Sequence, residues 1–188
     1  MLDQQQRQNV DSIKFGALLK LPAIEVDEYS YSWVFDNFNV DDMCLIVHGH
    51  SLPIGPIDVE YVFGLTSRGV EVEGQEEELA YVTSLEKMKA EIIGGEMGLA
   101  ELGRSLKNMQ SSGDEFKVKF VLFVIVRVLC PAMNFSISKS LLCAVCNVDK
   151  LPSYNWSKYI LDNLVNGIRR RRERSARGVG GYVLLLMA

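Results

Sequence analysis

The sequence predicts a mainly α fold, a single compact helical domain with one small β-hairpin. Apolar residues recur at helical spacing along most of the 188 residues. The longest such series lies near the end of the chain and consists of Trp156, Ile160, Leu164 and Ile168. Residues 44–54 differ, because a β-prone run, Cys44–Val47, is followed by the turn-like His48-Gly49-His50 and a short return to Ile54.

Composition and charge are those of an ordinary globular domain. Hydrophobic residues make up 48% of the chain and charged residues 23%, which is enough apolar material for one core. The net charge of −4 argues against a protein that coats nucleic acid over its whole surface. The four cysteines form no dense disulfide pattern, and the polar residues 1–8 lack the features of a signal peptide. We therefore expect an intracellular protein, nuclear or cytoplasmic.

The chain divides into a flexible, polar N-terminus at 1–9 and a helical domain at 10–188. A Gly- and Glu-rich stretch at about 66–78 is expected to be a surface loop. Capping residues, glycines and prolines set the limits of the helices. The expected helices run over about 12–20, 28–38, 56–63, 83–94, 96–110, 138–146 and 153–175.

The apolar segment 116–129 is the centre of the expected core. As a helix it would carry one apolar side, made of Val118, Leu122, Ile125 and Leu129. Its many β-branched residues leave a buried strand open as the alternative. The uninterrupted apolar run, 120–126, is shorter than the roughly 20 residues of a membrane-spanning helix. We therefore expect no membrane segment.

Two short motifs have side chains that could bind a metal. Cys143-Ala144-Val145-Cys146 has the spacing of a zinc half-site, but no second ligand pair exists, so core packing is the favoured interpretation. His48-Gly49-His50 holds the only two histidines and is favoured as a polar turn. No nucleophile–base set and no phosphate-binding loop stands out. The sequence therefore predicts a protein that is not an enzyme, with no cofactor and no small-molecule substrate.

The strongest surface signal is a run of arginines at the end of the last helix. They could pair with phosphates, with an acidic protein or with a nuclear import receptor. They could equally be solvated cations that offset the helix dipole. The candidate residues for binding a partner or nucleic acid are Arg169, Arg170, Arg171, Arg172, Arg174 and Arg177.

The stretch 181–188 is apolar and must be buried in its own core or against another chain. A second copy of the chain is a natural partner, which predicts homo-oligomerisation. The candidate oligomer contacts are Tyr182, Val183, Leu185 and Leu186.

Several short motifs carry a family resemblance through their order and spacing. In the first half they are Phe15-Gly16-Ala17-Leu18-Leu19, Trp33, Phe38, His48-Gly49, Leu52-Pro53-Ile54, Asp58-Val59 and Phe63-Gly64-Leu65. In the second half they are Leu129-Cys130-Pro131, Tyr154-Asn155-Trp156, Tyr159-Ile160-Leu161 and Gly178-Val179-Gly180-Gly181-Tyr182. Together they resemble the aminotransferase-like plant mobile domain family over about 13–187, with a weak middle at about 70–115.

This resemblance implies a helical domain of transposon-derived origin without an established active site, and similar proteins usually continue beyond Ala188. It leads, with the missing catalytic set, to two hypotheses. The first is a non-catalytic protein-interaction module that acts through homo- or hetero-oligomerisation. The alternative is a nucleic-acid-binding accessory protein that uses the Arg-rich helix end, although nucleic acid is the less favoured partner.

Overall fold

The computed structural model describes residues 2–21, 28–73, 98–130 and 137–174. The fold is mainly α with a small antiparallel sheet, which confirms the predicted fold class. The α-helices are α1 Gln4–Ser12, α2 Glu28–Asn37, α3 Pro56–Phe63, α4 Leu99–Asn108, α5 Asp114–Val124, α6 Lys139–Cys146 and α7 Trp156–Arg174. The strands are β1 Phe38–Asn39, β2 Cys44–Val47 and β3 His50–Pro53. Short 3-10 helices occupy Gly16–Lys20 and Val148–Ser153, and a π-helical turn at Ile125–Leu129 extends α5. The helix expected at 83–94 lies outside the described residues.

The start of the chain differs from the expectation of a flexible 1–9 followed by a helix at 12–20. Residues 4–9 belong to α1, which ends at Ser12. The Asp3 carboxylate accepts a hydrogen bond from the Gln6 amide (2.7 Å), and the Gln6 side chain accepts one from the Asp3 amide (3.1 Å). This reciprocal cap satisfies donors that a helix start leaves unpaired. The Gln6 amide nitrogen also donates to the Met109 carbonyl (2.9 Å), so a buried polar side chain ties α1 to the end of α4.

The hairpin lies where the sequence places it. His48 and Gly49 have φ of 49° and 81°, the pair of positive values that a tight two-residue hairpin turn requires. β2 and β3 pair from Val47 with His50 to Cys44 with Pro53. The two-residue strand β1 adds a third, unpredicted strand on the other side of β2.

One hydrophobic core joins the described elements, and α5 and α7 form much of it. The segment 116–129 is helical, and the four side chains expected on its apolar side are at most 1% exposed. The four apolar residues of the longest series are equally buried along α7. Helical periodicity therefore located the centre of the core correctly.

The described part of the expected 66–78 loop is held against the start of α7. The Val70 amide donates to the Ser153 carbonyl (3.0 Å), and the Asn155 amide donates to the Val70 carbonyl (2.7 Å). The Ser157 hydroxyl donates to the carbonyl of Leu65 (2.7 Å), just beyond α3. These bonds fix the end of α3 to α7, while 74–78 lie outside the described residues.

Candidate functional site

The arginine-rich end of α7 packs against α2. Arg172 Nη2 donates hydrogen bonds to the carbonyls of Phe35 (2.8 Å) and Phe38 (2.6 Å). These carbonyls lie at the end of α2, where the last carbonyls of a helix lack donors within the helix. Arg171 lies over the Phe35 ring, with its Cζ atom 4.6 Å from the ring centroid. Arg169 donates to the carbonyl of Val40 (3.3 Å) in the turn between β1 and β2.

Three of the predicted arginines thus fasten α7 to the neighbouring α2 and β1–β2 turn. Arg169 also pairs with the Asp41 carboxylate at 3.3 Å. Arg170 is exposed and makes none of these contacts. The Arg174 side chain and Arg177 lie outside the described residues, as do the candidate oligomer contacts Tyr182, Val183, Leu185 and Leu186.

Exposed apolar side chains are concentrated in another stretch of the chain. Among the described residues, seven large apolar side chains are exposed, and all fall between 29 and 70. The seventh is Val70. The other six lie in one stretch of the chain, in α2, the hairpin and α3, and are together called the apolar surface: Tyr29, Trp33, Ile46, Leu52, Ile57 and Tyr61. Ile46 and Leu52 lie on opposite faces of the hairpin, because Leu52 pairs with Leu45 and side chains alternate along a strand.

The stretch that carries the apolar surface is acidic. Residues 28–70 contain six carboxylates against one arginine and no lysine, a formal charge of −5 with histidine neutral. The carboxylates are Glu28, Asp36, Asp41, Asp42, Asp58 and Glu60. Asp41 is paired with Arg169, so the surface around it keeps a part, not all, of this negative charge.

A polar cleft of about 270 Å³ lies between the 71–73 segment and the first turns of α7. Its lining includes the Lys158 ammonium group, which contacts the carboxylates of Asp162 (2.8 Å) and Glu71 (3.1 Å). The hydrogen bonds that Lys158 donates to Asp162 and Glu71 raise the pKa of Lys158. Lys158 therefore remains protonated and cannot act as a nucleophile at neutral pH.

Two further reactive groups near this cleft are also held protonated. Burial raises the pKa of Tyr159 to about 12, with a smaller contribution from the neighbouring Cys130. Burial likewise raises the pKa of the Cys130 thiol. A general base or nucleophile needs a pKa close to the working pH. The raised pKa values therefore weigh against Tyr159 and Cys130 as a nucleophile or general base.

The two motifs considered as metal ligands differ in their exposure to solvent. His48 and His50 lie at the exposed tip of the hairpin, whereas Cys143 and Cys146 are buried within α6. Among the described ranges, no group of three or more His, Cys, Asp or Glu side chains is arranged to hold a metal ion. In that part of the chain, no helix combines the length and apolar character needed to cross a bilayer.

The sequence interpretation missed the exposed face of α3. The sequence predicts a helix over 56–63 but not which of its residues are exposed. A helix that is apolar on all sides is usually buried on all sides. Of its residues, α3 buries Val59 and Phe63. The apolar residues on its other face were the signal in the sequence that could have indicated an exposed apolar surface.

A family model matches residues 1–187. Neither a plant mobile domain nor an aminotransferase-like family matches, so the resemblance drawn from the short motifs is wrong. No curated protein and no solved structure matches the chain. Since the match spans nearly the full length, this chain belongs to the family described as Domain of unknown function (DUF8566).

Proposed function

We propose that this protein is a non-catalytic interaction module that binds a partner protein through the apolar surface. The observation that carries the proposal is the concentration of exposed large apolar side chains in one stretch of the chain. Exposed apolar residues scattered singly need no explanation, whereas grouped ones with polar neighbours are typical of a protein–protein interface. Tyr29 with Trp33 on α2, and Ile57 with Tyr61 on α3, are four residues apart, so each pair shares one helix face. Tyrosine and tryptophan, three of the six residues, are the types that most often dominate binding energy.

The chemistry of the polar cleft supports a non-catalytic role. Lys158, Tyr159 and Cys130 all have raised pKa values, so each is held in its protonated form. The Lys158 ammonium group is already neutralised by two carboxylates of the same chain. These contacts stabilise the packing of the 71–73 segment on α7 and engage the ammonium group in a structural role.

Charge favours a partner other than a second copy at this surface. A symmetric dimer brings the same patch of both subunits together. For an acidic surface this would place carboxylates against carboxylates, which is unfavourable. Self-association through Tyr182, Val183, Leu185 and Leu186 stays a separate prediction, which the solution mass of the protein with and without Leu185→Ser and Leu186→Ser would test.

Nucleic-acid binding by the arginines is the less supported alternative. Arg169, Arg171 and Arg172 already contact carbonyl, carboxylate and aromatic groups of the same chain. Phosphate binding would have to compete with these contacts. The acidic stretch 28–70 next to them would also repel a phosphate backbone.

An intracellular location fits the cysteines. Cys44, Cys130, Cys143 and Cys146 form no disulfide, and three of these residues are buried. Buried cysteines outside disulfides are typical of proteins from reducing compartments.

Comparative affinity purification tests the proposed function. The wild-type chain is compared with a surface variant carrying Tyr29→Gln, Ile57→Gln and Tyr61→Gln, which keep good helix propensity. The matched control carries Glu101→Gln, Arg104→Gln and Lys107→Gln on exposed positions of α4. We expect proteins retained by the wild type and the control to be lost from the surface variant. Retention of the same proteins by all three forms would contradict the proposal.

A further inference from the structure

The exposed face of α3 is a rigid apolar ridge. Ile57 is 74% exposed and Tyr61 is 92% exposed, and residues four apart lie one above the other on a helix. On the other side Val59 and Phe63 are buried against the core. Two large apolar side chains therefore project from a short helix that is fixed from behind.

Both ends of α3 are held in place. At its start the Gly55 amide donates to the Asp58 carboxylate (2.7 Å), and Pro56 begins the helix. At its end Gly64 takes the left-handed conformation, with φ of 66°. The Glu60 carboxylate accepts hydrogen bonds from the Ser67 hydroxyl and from its amide. Such fixation lowers the entropy lost on binding, because the anchors are already positioned.

A recess of about 400 Å³ adjoins the C-terminal end of this ridge. It lies between α3 and the loop around the first 3-10 helix. Gly64, which lines it, lies three residues after Tyr61 and therefore on the same side as Tyr61, and Glu60, which also lines it, immediately precedes Tyr61. The other lining residues are Asp11, Lys14, Gly16, Ala17 and Thr66. A side chain of a partner packed along the ridge could enter the recess beside Tyr61.

Carboxylates border the ridge at both ends. Asp58 is exposed in the first turn of α3, next to Ile57. The Ile54 amide donates to the Met43 carbonyl (2.8 Å), which holds the start of α3 beside the β1–β2 turn and its exposed Asp42. At the other end two more carboxylates, Asp11 and Glu60, line the recess together with one lysine, Lys14. The border is therefore acidic on balance.

We propose that the α3 ridge and its recess form the docking site for a basic amphipathic helix of a partner protein. This inference rests on the proposed function and names its site and the chemistry of its partner. Apolar residues at helical spacing on the partner would pack on Ile57 and Tyr61, as in other helix-in-groove complexes. Its lysine or arginine side chains would face Asp42 and Asp58.

An added strand is the less favoured way to bind at this end of the molecule. β3 is the edge strand of the sheet, and all four of its residues are exposed. It is short, however, and ends at Pro53, which has no amide hydrogen to donate. Side-chain packing on α3 offers more apolar contact than backbone pairing with this edge.

Fluorescence anisotropy with synthetic peptides tests the docking site. The probe is a labelled amphipathic helix of leucine and lysine, about 18 residues or five turns long. One control peptide carries glutamate in place of lysine, and another has the leucine and lysine residues in an order without an apolar face. We expect the ordered leucine–lysine peptide to bind the full chain and both control peptides to bind much more weakly.

Variants of the full chain locate the binding. Ile57→Gln and Tyr61→Gln should each weaken the affinity roughly tenfold or more, as for central interface anchors. Asp58→Asn keeps an oxygen for the Gly55 amide and should weaken binding while flattening its salt dependence. Val70→Thr, at another exposed apolar position, should leave the affinity unchanged. Circular dichroism and thermal unfolding confirm that each variant is folded.

Three results would overturn the docking site. They are no binding of the ordered peptide at up to about 0.1 mM, equal binding of the control peptide without an apolar face, or unchanged affinity in the two α3 variants.

The purification experiment separates failure of the docking site from failure of the proposed function. If Tyr29→Gln alone removes the partners while Ile57→Gln with Tyr61→Gln retains them, the module binds through α2 and the α3 site is wrong.

Discussion

At the scale of single residues, Gly64 shows how local geometry joins two elements. It ends α3 at a positive φ of 66°, and a Cβ atom placed there would lie 2.4 Å from the Cβ of Ala17. Glycine is thus required both by the backbone and by the close approach of the first 3-10 helix. The short sequence Phe63-Gly64-Leu65 therefore has a structural role as the end of α3.

Replacement of Gly64 by alanine should destabilise the fold. The strained φ alone costs about 1–3 kcal/mol, and the contact with Ala17 adds to it. Urea unfolding of Gly64→Ala measures the loss. Adding Ala17→Gly removes the contact but not the strain, so the double variant should recover part of the stability relative to Gly64→Ala. An unchanged unfolding free energy in Gly64→Ala would contradict this role of the glycine.

Glu60 should make the stability depend on pH. The hydroxyl and the amide of Ser67 donate to its carboxylate and hold the pKa of Glu60 below its ordinary value of 4.5. A lowered pKa in the folded state stabilises the protein above the unfolded pKa, and this stabilisation is lost as the pH falls through the folded pKa. The stability difference between wild type and Glu60→Gln should therefore be largest near pH 7 and shrink below about pH 4.5.

Thermal unfolding over this pH range measures the Glu60 effect. Ser67→Ala provides the control, because it removes the hydroxyl donor and leaves the amide donor in place. The pH-dependent difference should be smaller in that background. A stability difference between wild type and Glu60→Gln that stays constant from pH 7 to pH 4 would show that ionisation of Glu60 does not stabilise the folded state.

At the scale of elements, α2 and α7 are joined by side chains from the arginine run. Arg172 supplies donors to two carbonyls at the end of α2. Because Arg172 is itself exposed, these bonds are partly screened by water. Arg170 lies in the same run, is exposed and makes no such contact. It therefore offers a matched comparison.

Arg172→Ala should lower the unfolding free energy by about 1–2 kcal/mol, since hydrogen bonds to a charged donor are lost. Arg170→Ala should change it by less than about 0.5 kcal/mol, as for an ordinary surface substitution. Chemical unfolding of the two variants measures the difference. Equal stability of both variants, with an equal fall in DNA or RNA affinity, would instead favour the nucleic-acid hypothesis.

Helical periodicity predicted the long, apolar elements and failed for those held by polar contacts. α5 and α7 followed from their apolar spacing, because a buried helix face repeats every three to four residues. α1 was missed because its sequence, Gln4–Ser12, is polar. It is stabilised by the Asp3–Gln6 cap and by bonds from Gln6 and Asn9 to carbonyls more than a hundred residues away. Such contacts leave no periodic signal.

At the scale of the whole molecule, the arginines and the exposed apolar residues are used differently from what the sequence suggested. The arginine run was expected to be either a binding surface or solvated cations, but Arg169, Arg171 and Arg172 contact their own chain. The face of α3 was not predicted as a surface, because exposure of Ile57 and Tyr61 depends on which side of a short helix packs on α7. Tertiary packing determines which side of α3 is buried, and the spacing of apolar residues within α3 does not predict it.

Hydrogen exchange of the protein, alone and with a partner retained in the purification experiment, tests the interaction surface most directly. Binding through the apolar surface should slow exchange in 28–63 and leave 99–129 unchanged, because slow exchange reports reduced local opening. Protection confined to 169–174, or no protection anywhere in 28–63, would contradict a module that binds through α2, the hairpin and α3.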